Sequence, residues 1–475
     1  MIYPRAMRRS SCLFLTLFLP ILAACSSGTS GESAPPALPS PRPWQRLATP
    51  TSAAMAEVRG LRPVRGILHS HSPYSHDACD GEGLLPGGGT NPGCTQDLRR
   101  SVCEAGEDFV FLSDHADHMA EQDFESLLFI EAGDDPVKDA GGAVIANRIP
   151  CGDGRSVLIT AGTENSLMSV GLERHVPGTA AERSTLYGGD DAATVEAMRA
   201  AGALVMIPHT EQRTHEYLAA MPFDGMEVYN LHAAIDPDIR RDSLGLDPYA
   251  AAANILPFTK HDPDGPEPDF TLLGFFEDLP AYAERWDRIL PVRHVTGIAG
   301  TDVHQNTFPS MMRDGERGDS YRRLMRWFSN IVLLDGELGP AALKEALRAG
   351  RSYVAFEILG VPVGFDFHAE QGGSTIEMGG RTGGGATLVA RAPAVLDPDP
   401  AVTPPTVTMR LYRVTPGKTE TAAEGLSVDL ADPAPGAYRV EVRITPHHLR
   451  PYLGYEADTY IRDSLWVISN PIYID

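Results

Sequence analysis

Positively charged residues are in deficit in this chain of 475 residues, and the deficit argues against one large class of partners. Lysine and arginine together number 40, against 63 aspartates and glutamates, so the formal net charge is −23. A surface of this sign repels the phosphates of DNA and RNA, and we expect no nucleic-acid partner. Apolar runs long enough to cross a membrane are missing as well, because the run at 13–22 falls short of the roughly 20 residues that a spanning helix needs.

The N-terminal residues have the pattern of an export signal rather than of a folded element. Three arginines within the first nine residues precede the short apolar run, as in a secretory signal peptide, and we assign the signal to residues 1–24. The run ends in Leu-Ala-Ala-Cys25, which resembles a bacterial lipobox; an ordinary signal peptide with an incidental cysteine is the alternative. We therefore expect a protein secreted across the inner membrane and anchored by a lipid on Cys25 to a bacterial membrane, in the periplasm or at the cell surface.

Cysteine is scarce, and two of the six residues fall in the signal region. The four that remain are Cys79, Cys94, Cys103 and Cys151. An even number of cysteines in an exported chain predicts disulfide bonds. Four cysteines allow three pairings, and we favour Cys79 with Cys94 because that bond staples the glycine-rich loop at 81–93. A zinc site made of thiolates is disfavoured, since the sequence has no C-x-x-C spacing.

Short apolar runs end repeatedly in residues that can bind a metal ion. The runs lie at 64–68, 109–112, 157–161, 204–207, 226–229 and 295–299, and the residues after them include His69, Asp114, Glu164, His209, Asn230 and Asp302. Helix-like segments alternate with these runs, which predicts parallel βα units. A barrel of such units carries its active site at the carboxyl ends of its strands. An open doubly wound sheet is the alternative, but it would gather its ligand at one switch point, and no G-x-G-x-x-G opens a helix here.

The composition of the chain changes at two places. Residues 25–57 are rich in Ser, Pro, Ala and Gly and are predicted to be a disordered linker. After the helix-like segment 340–350 the helical periodicity ends, and short β-rich runs alternate with Gly, Pro and Asp clusters. One of them, 438–443, alternates as a half-buried antiparallel strand does. We therefore expect a catalytic barrel at 58–361 and a β-sandwich-like module at 362–475.

His69-Ser-His71 forms half of a candidate metal site. Residues two apart on an extended chain point the same way, so both imidazoles face one side. The H-x-H pattern alone is weak, since a chance or structural pair explains it equally well. Asp77 and the adjacent His76 are alternatives for reaching a second ion, and we favour Asp77. His115, after the next strand, adds another imidazole or is a solvent-facing loop histidine.

Further candidates lie along the rest of the predicted barrel. Glu164 stands at a strand end, where a carboxylate can bridge two cations or can instead cap a helix. His209 and His175 are candidate imidazole ligands, although no strand-like run precedes His175. Asp302-Val-His304 repeats the spacing of two after an apolar run. Each signal is modest by itself, but the whole set is not expected by chance.

The order of these motifs resembles the polymerase-and-histidinol-phosphatase (PHP) superfamily of metal-dependent phosphoesterases. The shared pattern is H-x-H with a trailing Asp, then S-D-H, G-T-E, P-H and a late D-x-H, and it spans about 58–361. The resemblance implies an α/β fold, a distorted (β/α)7 TIM-like PHP barrel with two or three divalent ions of zinc, manganese or iron. It implies catalytic roles for Glu164, Asp302 and His304, and metal ligands at His69, His71, Asp77, His115, Glu164, His175, His209, Asp302 and His304.

The resemblance also implies the reaction, in which the ions activate water to attack a phosphoester of a small-molecule substrate. Arg148, Arg174 and Arg213 lie in loops near the ligands, either as phosphate clamps or as solvated surface residues. The segments 436–442 and 464–473 resemble the C-terminal module of carbaryl-hydrolase-type members of the superfamily. That tail favours one alternative, a carbamate, ester or amide hydrolase with the same cluster. The other alternative is a non-catalytic binding lipoprotein at the cell surface.

Overall fold

Most strands of the protein join one large mixed sheet, so the fold is mixed α/β. The computed structural model describes residues 40–47, 49–250 and 252–475; the predicted signal peptide at 1–24 and the predicted lipid site Cys25 lie outside them. Within the described residues, no helix has both the length and the apolar character needed to cross a membrane. Pro41–Asp475 forms one compact unit.

Helices and strands alternate up to the helix Pro340–Arg348, and strands predominate after it. The strands are β1 (Arg62–Ile67), β2 (Phe109–Phe111), β3 (Asp114–His115), β4 (Asp135–Lys138), β5 (Val144–Pro150), β6 (Ser156–Glu164), β7 (Met168–Leu172), β8 (Leu204–Ile207), β9 (Gly225–Asn230), β10 (Thr296–Gly300), β11 (Ser329–Leu334), β12 (Ser352–Ala355), β13 (Pro362–Val363), β14 (Asp366–Gln371), β15 (Ser374–Glu377), β16 (Arg381–Thr382), β17 (Thr387–Arg391), β18 (Ala394–Val395), β19 (Thr406–Thr415), β20 (Lys418–Glu424), β21 (Ser427–Ala431), β22 (Gly436–Thr445), β23 (Ser464–Ser469) and β24 (Ile472–Ile474). The α-helices are α1 (Pro92–Glu104), α2 (Ala116–Met119), α3 (Ala180–Tyr187), α4 (Ala192–Ala200), α5 (His215–Ala220), α6 (Leu231–Ile235), α7 (Pro237–Ile239), α8 (Leu256–Thr259), α9 (Pro280–Ile289), α10 (Tyr321–Met325), α11 (Pro340–Arg348), α12 (Arg450–Leu453) and α13 (Ala457–Tyr460).

The strands that carry the candidate ligands are neighbours in the sheet. β1 pairs in parallel with β2, and β2 pairs in parallel with β6. β7 is antiparallel to both β6 and β8, and β8, β9 and β10 are again parallel. Beyond β10 the chain meets the residues that follow β1, because Ser70 and Val303 form a parallel bridge. The antiparallel β7 differs from the predicted series of parallel units, and the exact (β/α)7 barrel stays a prediction.

The C-terminal strands extend the same large sheet. β11 pairs with β1 and β12 pairs with β11, and β12 then pairs with β23 from the end of the chain. Asn470 adds side-chain contacts here: its Oδ1 accepts the N–H of Gly297 (2.7 Å) and its Nδ2 donates to the carbonyl of Ser352 (2.9 Å). A separate four-stranded sheet contains β14, β15, β17 and β21. The boundary expected near 361 remains a prediction.

Part of the stretch predicted to be a linker, 25–57, packs against the rest of the protein. The indole N–H of Trp44 donates to the buried carboxylate of Asp269 (2.8 Å), and its ring packs on a buried phenylalanine. Arg42 pairs with Asp397 at 2.7 Å. The expectation of disorder is therefore wrong for these residues, because Trp44 finds buried partners that the composition of the stretch does not reveal.

Two disulfide bonds tie the two ends of α1 to neighbouring segments. Cys79 is bonded to Cys94, which confirms the predicted pairing, and Cys103 is bonded to Cys151. The first bond joins the loop after β1 to the start of α1. The second joins the end of α1 to the residue that follows β5.

Arg65 lies fully buried between two buried carboxylates. Its Nε donates to Glu357 (2.9 Å), and its guanidinium lies 3.7 Å from Glu107. Burial raises the pKa of Glu107 to about 8; Arg65 opposes the shift and Glu357 adds to it. One cation does not neutralise two buried carboxylates, so Glu107 keeps its proton at neutral pH.

Replacing Glu107 by Gln should flatten the pH dependence of stability. The unfolded chain loses this proton near pH 4.3, whereas the folded protein holds it to about pH 8. The stabilisation is therefore complete at low pH and is lost as the pH rises between those values. Urea unfolding from pH 5 to 8 should show a smaller decline in the free energy of unfolding for Glu107→Gln than for the wild type. An exposed control, Glu337→Gln, should keep the wild-type slope; equal slopes for all three proteins would contradict the assignment.

Candidate metal centre

Two fully buried imidazoles follow β1 and face each other. The Nε2 atoms of His69 and His71 are 3.2 Å apart. The Nδ1–H of His69 donates to Glu227 (2.7 Å), and that of His71 donates to the hydroxyl of Ser75 (2.9 Å). Both Nε2 atoms therefore point at the same space, where a cation would take the place of a proton and bind both rings.

Asp302 brings one carboxylate to three imidazoles. It follows β10 in a left-handed conformation with φ +54°, and its N–H donates to the carbonyl of His69. Its Oδ1 lies 3.1 Å from the Nε2 atoms of His69 and His71, and its Oδ2 lies 3.1 Å from the Nε2 of His209. We call His69, His71, His209 and Asp302 the inner group. A non-glycine residue adopts this backbone conformation only where its surroundings enforce it, and here the conformation aims the carboxylate at the imidazoles.

A second cluster lies nearer the solvent. His71, Asp77, His115 and His304 each place one ligand atom within 4.8 Å of the others, and we call them the outer group. Oδ2 of Asp77 lies 3.3 Å from Nε2 of His115 and 3.1 Å from Nε2 of His304. The side chain of Asp77 is 30% exposed and that of His115 is 23% exposed, so substrate and water can reach this side of the centre.

Glu164 lies between the two groups. It is the last residue of β6, and β3 pairs with β6 so that His115 is opposite Glu164. Its Oε2 lies 3.1 Å from Nδ1 of His115, and its Oε1 lies 3.9 Å from Nε2 of His209. Since each oxygen faces a different group, the carboxylate is placed where it can bridge two cations.

Two histidines considered in the sequence analysis stand outside these groups. His76 turns toward Asp117 (3.1 Å) at the surface, which leaves its neighbour Asp77 facing the outer group. His175 is occupied elsewhere: its Nε2–H donates to the carbonyl of Gln122 (2.9 Å), and its Nδ1 lies 3.2 Å from the hydroxyl of Tyr187. The structure does not bring His175 to the centre. It follows β7, whose antiparallel direction puts its carboxyl end at the opposite edge from those of β6 and β8.

His232 joins the centre although the sequence analysis did not select it. It forms a third group with Asp302 and His304, again with ligand atoms within 4.8 Å of one another. The residue lies in α6, two positions beyond the end of β9. His232 therefore lies two residues beyond the end of its strand, as His69, His209 and Asp302 do beyond theirs. This spacing is the sequence signal from which it could have been predicted.

Burial and the neighbouring carboxylates shift the pKa values of these histidines in opposite directions. Burial opposes protonation of His69, but Asp302 and Glu227 outweigh it and raise the pKa of His69 to about 10. Burial and the neighbouring His304 lower the pKa of His71 to about 3. Burial also opposes protonation of His115, but Asp77 and Glu164 raise its pKa to about 11. A cation held by His69 and His115 would take the place of their protons, so its binding there would release protons.

The arginines considered as phosphate clamps have main-chain partners. Arg148 and Arg174 donate to main-chain carbonyls of residues outside the three groups. Arg213 donates to the carbonyl of Ser166 (3.0 Å), two residues beyond Glu164. All three side chains therefore donate to main-chain carbonyls of residues outside the three groups.

Comparison with known proteins adds little to this geometry. No protein-family model matches the chain, and no curated protein matches it. Among solved structures, the chain is similar to a two-domain protein from Bacteroides vulgatus, described as containing a predicted PHP-like metal-dependent phosphoesterase. The identity is 13%, the match covers 90% of this chain and 99% of that one, and the TM-score is 0.34. A similarity of this size carries no argument about function.

The bond between Cys79 and Cys94 lies beside the outer group. The N–H of Cys79 donates to the carbonyl of His304 (2.9 Å), and the side-chain amide of Asn306 donates to the carbonyl of Asp77 (3.1 Å). The loop that carries Asp77 is therefore held both to the chain segment that carries His304 and, through the disulfide, to α1.

Replacing Cys79 and Cys94 together by Ser should weaken the outer group. Asp77 then loses its covalent support, and we expect the affinity of this group for a divalent ion to fall by about tenfold to hundredfold. Competition with a chromophoric chelator measures the affinity of each bound ion. The matched control is the double replacement of Cys103 and Cys151, which removes the other disulfide. An equal loss of affinity in both double variants would mean that the protein has loosened generally, and would contradict a specific role.

Replacing His232 and His175 separately by Ala should show which of the two is a metal ligand. The geometry of the structure selects His232, whereas the order of motifs in the sequence selects His175. Loss of His232 removes an imidazole from the third group, so the variant should retain fewer equivalents of metal after dialysis. His175→Ala should retain the wild-type amount, because that ring is hydrogen-bonded elsewhere. Elemental analysis of the two purified variants makes the measurement, and the reverse outcome would refute the placement of both residues.

Proposed function

We propose that the protein is a metal-dependent hydrolase that uses two or three divalent ions to activate water, with small-molecule phosphoesters as substrates. The contact of Asp302 with three imidazole Nε2 atoms, each at 3.1 Å, carries the proposal. Their Nδ1 atoms already have partners, so the Nε2 atoms and the carboxylate form a ready set of ligands. Mixed imidazole and carboxylate donors suit zinc, manganese or iron.

We further propose that the strands around the centre form a distorted seven-stranded barrel in the region 58–361, followed by a β-rich module at 362–475. The bridge between Ser70 and Val303 supports this arrangement, because it links the segment after β10 to the segment after β1. Two disulfide bonds support a location outside the cytoplasm, where thiols are oxidised. Anchoring through a lipid on Cys25 is part of the same proposal.

The residues of the centre have different roles in hydrolysis. When bound, a pair of ions lowers the pKa of water toward neutrality and neutralises charge on the substrate oxygens. Both oxygens of Asp302 face imidazole nitrogens, so its role is to hold the ligands in place and to orient the water. Glu164, with Oε2 3.1 Å from Nδ1 of His115 and Oε1 3.9 Å from Nε2 of His209, is placed to bridge the two groups. His304 donates its Nδ1–H to the carbonyl of Asp302 (2.8 Å), so its Nε2, which lies 3.1 Å from Oδ2 of Asp77, is the nitrogen that would bind an ion or exchange a proton with the leaving group.

A second candidate function keeps the same centre and changes the bond that is cleaved. Two of the three arginines considered as phosphate clamps donate to main-chain carbonyls elsewhere. Arg213 likewise donates to a main-chain carbonyl, that of Ser166, so recognition of an anionic phosphate has fewer cationic side chains than the sequence suggested. This observation favours a carbamate, ester or amide hydrolase as the alternative, because a neutral carbonyl substrate needs no such clamp.

Hydrolysis by the purified protein tests the proposal. The substrates are p-nitrophenyl phosphomonoester, phosphodiester, carboxylate ester and carbamate, each measured before and after treatment with a chelator. We expect phosphoester cleavage that chelation abolishes and a divalent metal restores. His69→Ala and Asp302→Ala should each lose more than about a hundredfold in rate together with bound metal, whereas His175→Ala should keep both.

The other outcomes are equally informative. Chelator-sensitive cleavage of the carboxylate ester or carbamate alone would establish the second candidate function. A protein that binds no divalent metal and cleaves none of the four substrates would contradict both candidates and favour a binding lipoprotein.

A further inference from the structure

Two buried carboxylates lie directly behind the inner group without belonging to it. Glu227 is fully buried within β9; its Oε1 accepts the Nδ1–H of His69 (2.7 Å), and its Oε2 accepts the main-chain N–H of His209 (2.9 Å). Glu211 is 3% exposed, and its Oε1 lies 3.0 Å from Nδ1 of His209. Glu227 thus fixes the ring of His69, and Glu211 fixes the ring of His209, each with Nε2 directed at Asp302.

These carboxylates have no ordinary counter-ion. Among the residues that the structure describes, no lysine or arginine forms an ion pair with Glu227 or Glu211; their other side-chain contacts are the amide of Asn230 and the hydroxyl of Tyr282. A buried carboxylate is costly unless a positive charge compensates it. The positive charge that compensates these carboxylates must therefore come from the side of His69 and His209. Their opposite nitrogens face the place where a cation would bind.

His115 and His304, the outer-group imidazoles that the inner group does not contain, have weaker support, and so has His71, which the two groups share. His71 donates to a neutral hydroxyl, that of Ser75 (2.9 Å), and His304 donates to a main-chain carbonyl (2.8 Å). Nδ1 of His115 lies 3.0 Å from the carbonyl of Glu164 and 3.1 Å from its carboxylate, but that carboxylate is itself a candidate ligand. No carboxylate outside the ligand set supports these rings within the described part of the chain.

We propose that Glu227 and Glu211 are positioning residues that make the inner group bind its ion more tightly than the outer group, so that the centre fills in a fixed order. A carboxylate behind an imidazole fixes the orientation of the ring and makes the opposite nitrogen a stronger donor, and losing such a partner typically costs tenfold to hundredfold in metal affinity. His69, His71 and Asp302 of the inner group are buried, whereas Asp77 and His115 of the outer group are 30% and 23% exposed. The inference rests on the proposed metal centre and adds an order of occupancy to it.

Titration of the metal-free protein with Zn²⁺ alone, against a chromophoric chelator, tests the proposal. The wild type should show a tight phase and a weaker phase. Glu211→Gln and Glu227→Gln should each weaken the tight phase by about tenfold to hundredfold and leave the weaker phase within about twofold. Asp77→Asn should do the reverse, since Asp77 belongs only to the outer group.

Tyr282→Phe is the matched control for Glu211. It removes the hydroxyl on the far side of Glu211 and keeps the contact between Glu211 and His209, so the tight phase should stay within about threefold of the wild type. Circular dichroism and the urea midpoint show whether each variant is folded, and Glu211→Gln tests the proposal if the fully buried Glu227→Gln does not fold.

Three outcomes would overturn the proposal. Two wild-type phases of equal affinity would remove the order of filling and leave the metal centre in place. An unchanged tight phase in a folded Glu211→Gln variant would show that the carboxylate does not set the affinity. Equal weakening of both phases by Glu211→Gln would show a general structural effect. Failure of the proposed function is distinct, because there the wild type would bind no Zn²⁺ at all.

Discussion

The site depends on one carboxylate, that of Asp302, which contacts three imidazoles that come from two different strand ends. Its position is set by the backbone: the residue takes a left-handed conformation directly after β10, and its N–H donates to the carbonyl of His69. The same stretch of chain forms the bridge between Ser70 and Val303. The main-chain pairing that joins the ends of β10 and β1 is therefore also what brings the ligand atoms of His69, His71 and Asp302 within 3.2 Å of one another.

From this contact toward Asp77 and His115, the burial of the side chains decreases. Glu227, Glu211, His69, His71 and Asp302 are buried, whereas Asp77 and His115 of the outer group are 30% and 23% exposed. Burial makes each charge expensive unless a neighbour compensates it, so carboxylates and imidazoles alternate from the core outward. The disulfide between Cys79 and Cys94 secures the outermost layer, where fewer packing contacts are available.

Much of the site could be predicted from the sequence, because a ligand at the end of a buried strand leaves a local pattern. His69, His71 and Asp302 were found in this way. His175 has no strand-like run before it in the sequence and was assigned from the order of motifs; in the structure it follows β7, which is antiparallel to β6 and β8. His232 had the right spacing and was overlooked. Glu227 looks like an ordinary residue within an apolar strand, and only its three-dimensional neighbours reveal its role. Trp44 was missed for a similar reason, because its partner Asp269 is distant in sequence.

The central claim is that the inner group binds a divalent ion. The most direct measurement is a crystal structure of the zinc-loaded protein with anomalous diffraction data collected on both sides of the zinc absorption edge. We expect an anomalous peak about 2.0–2.2 Å from Nε2 of His69, Nε2 of His71 and an oxygen of Asp302. Loaded crystals with these three side chains ordered and no anomalous peak among them would contradict it.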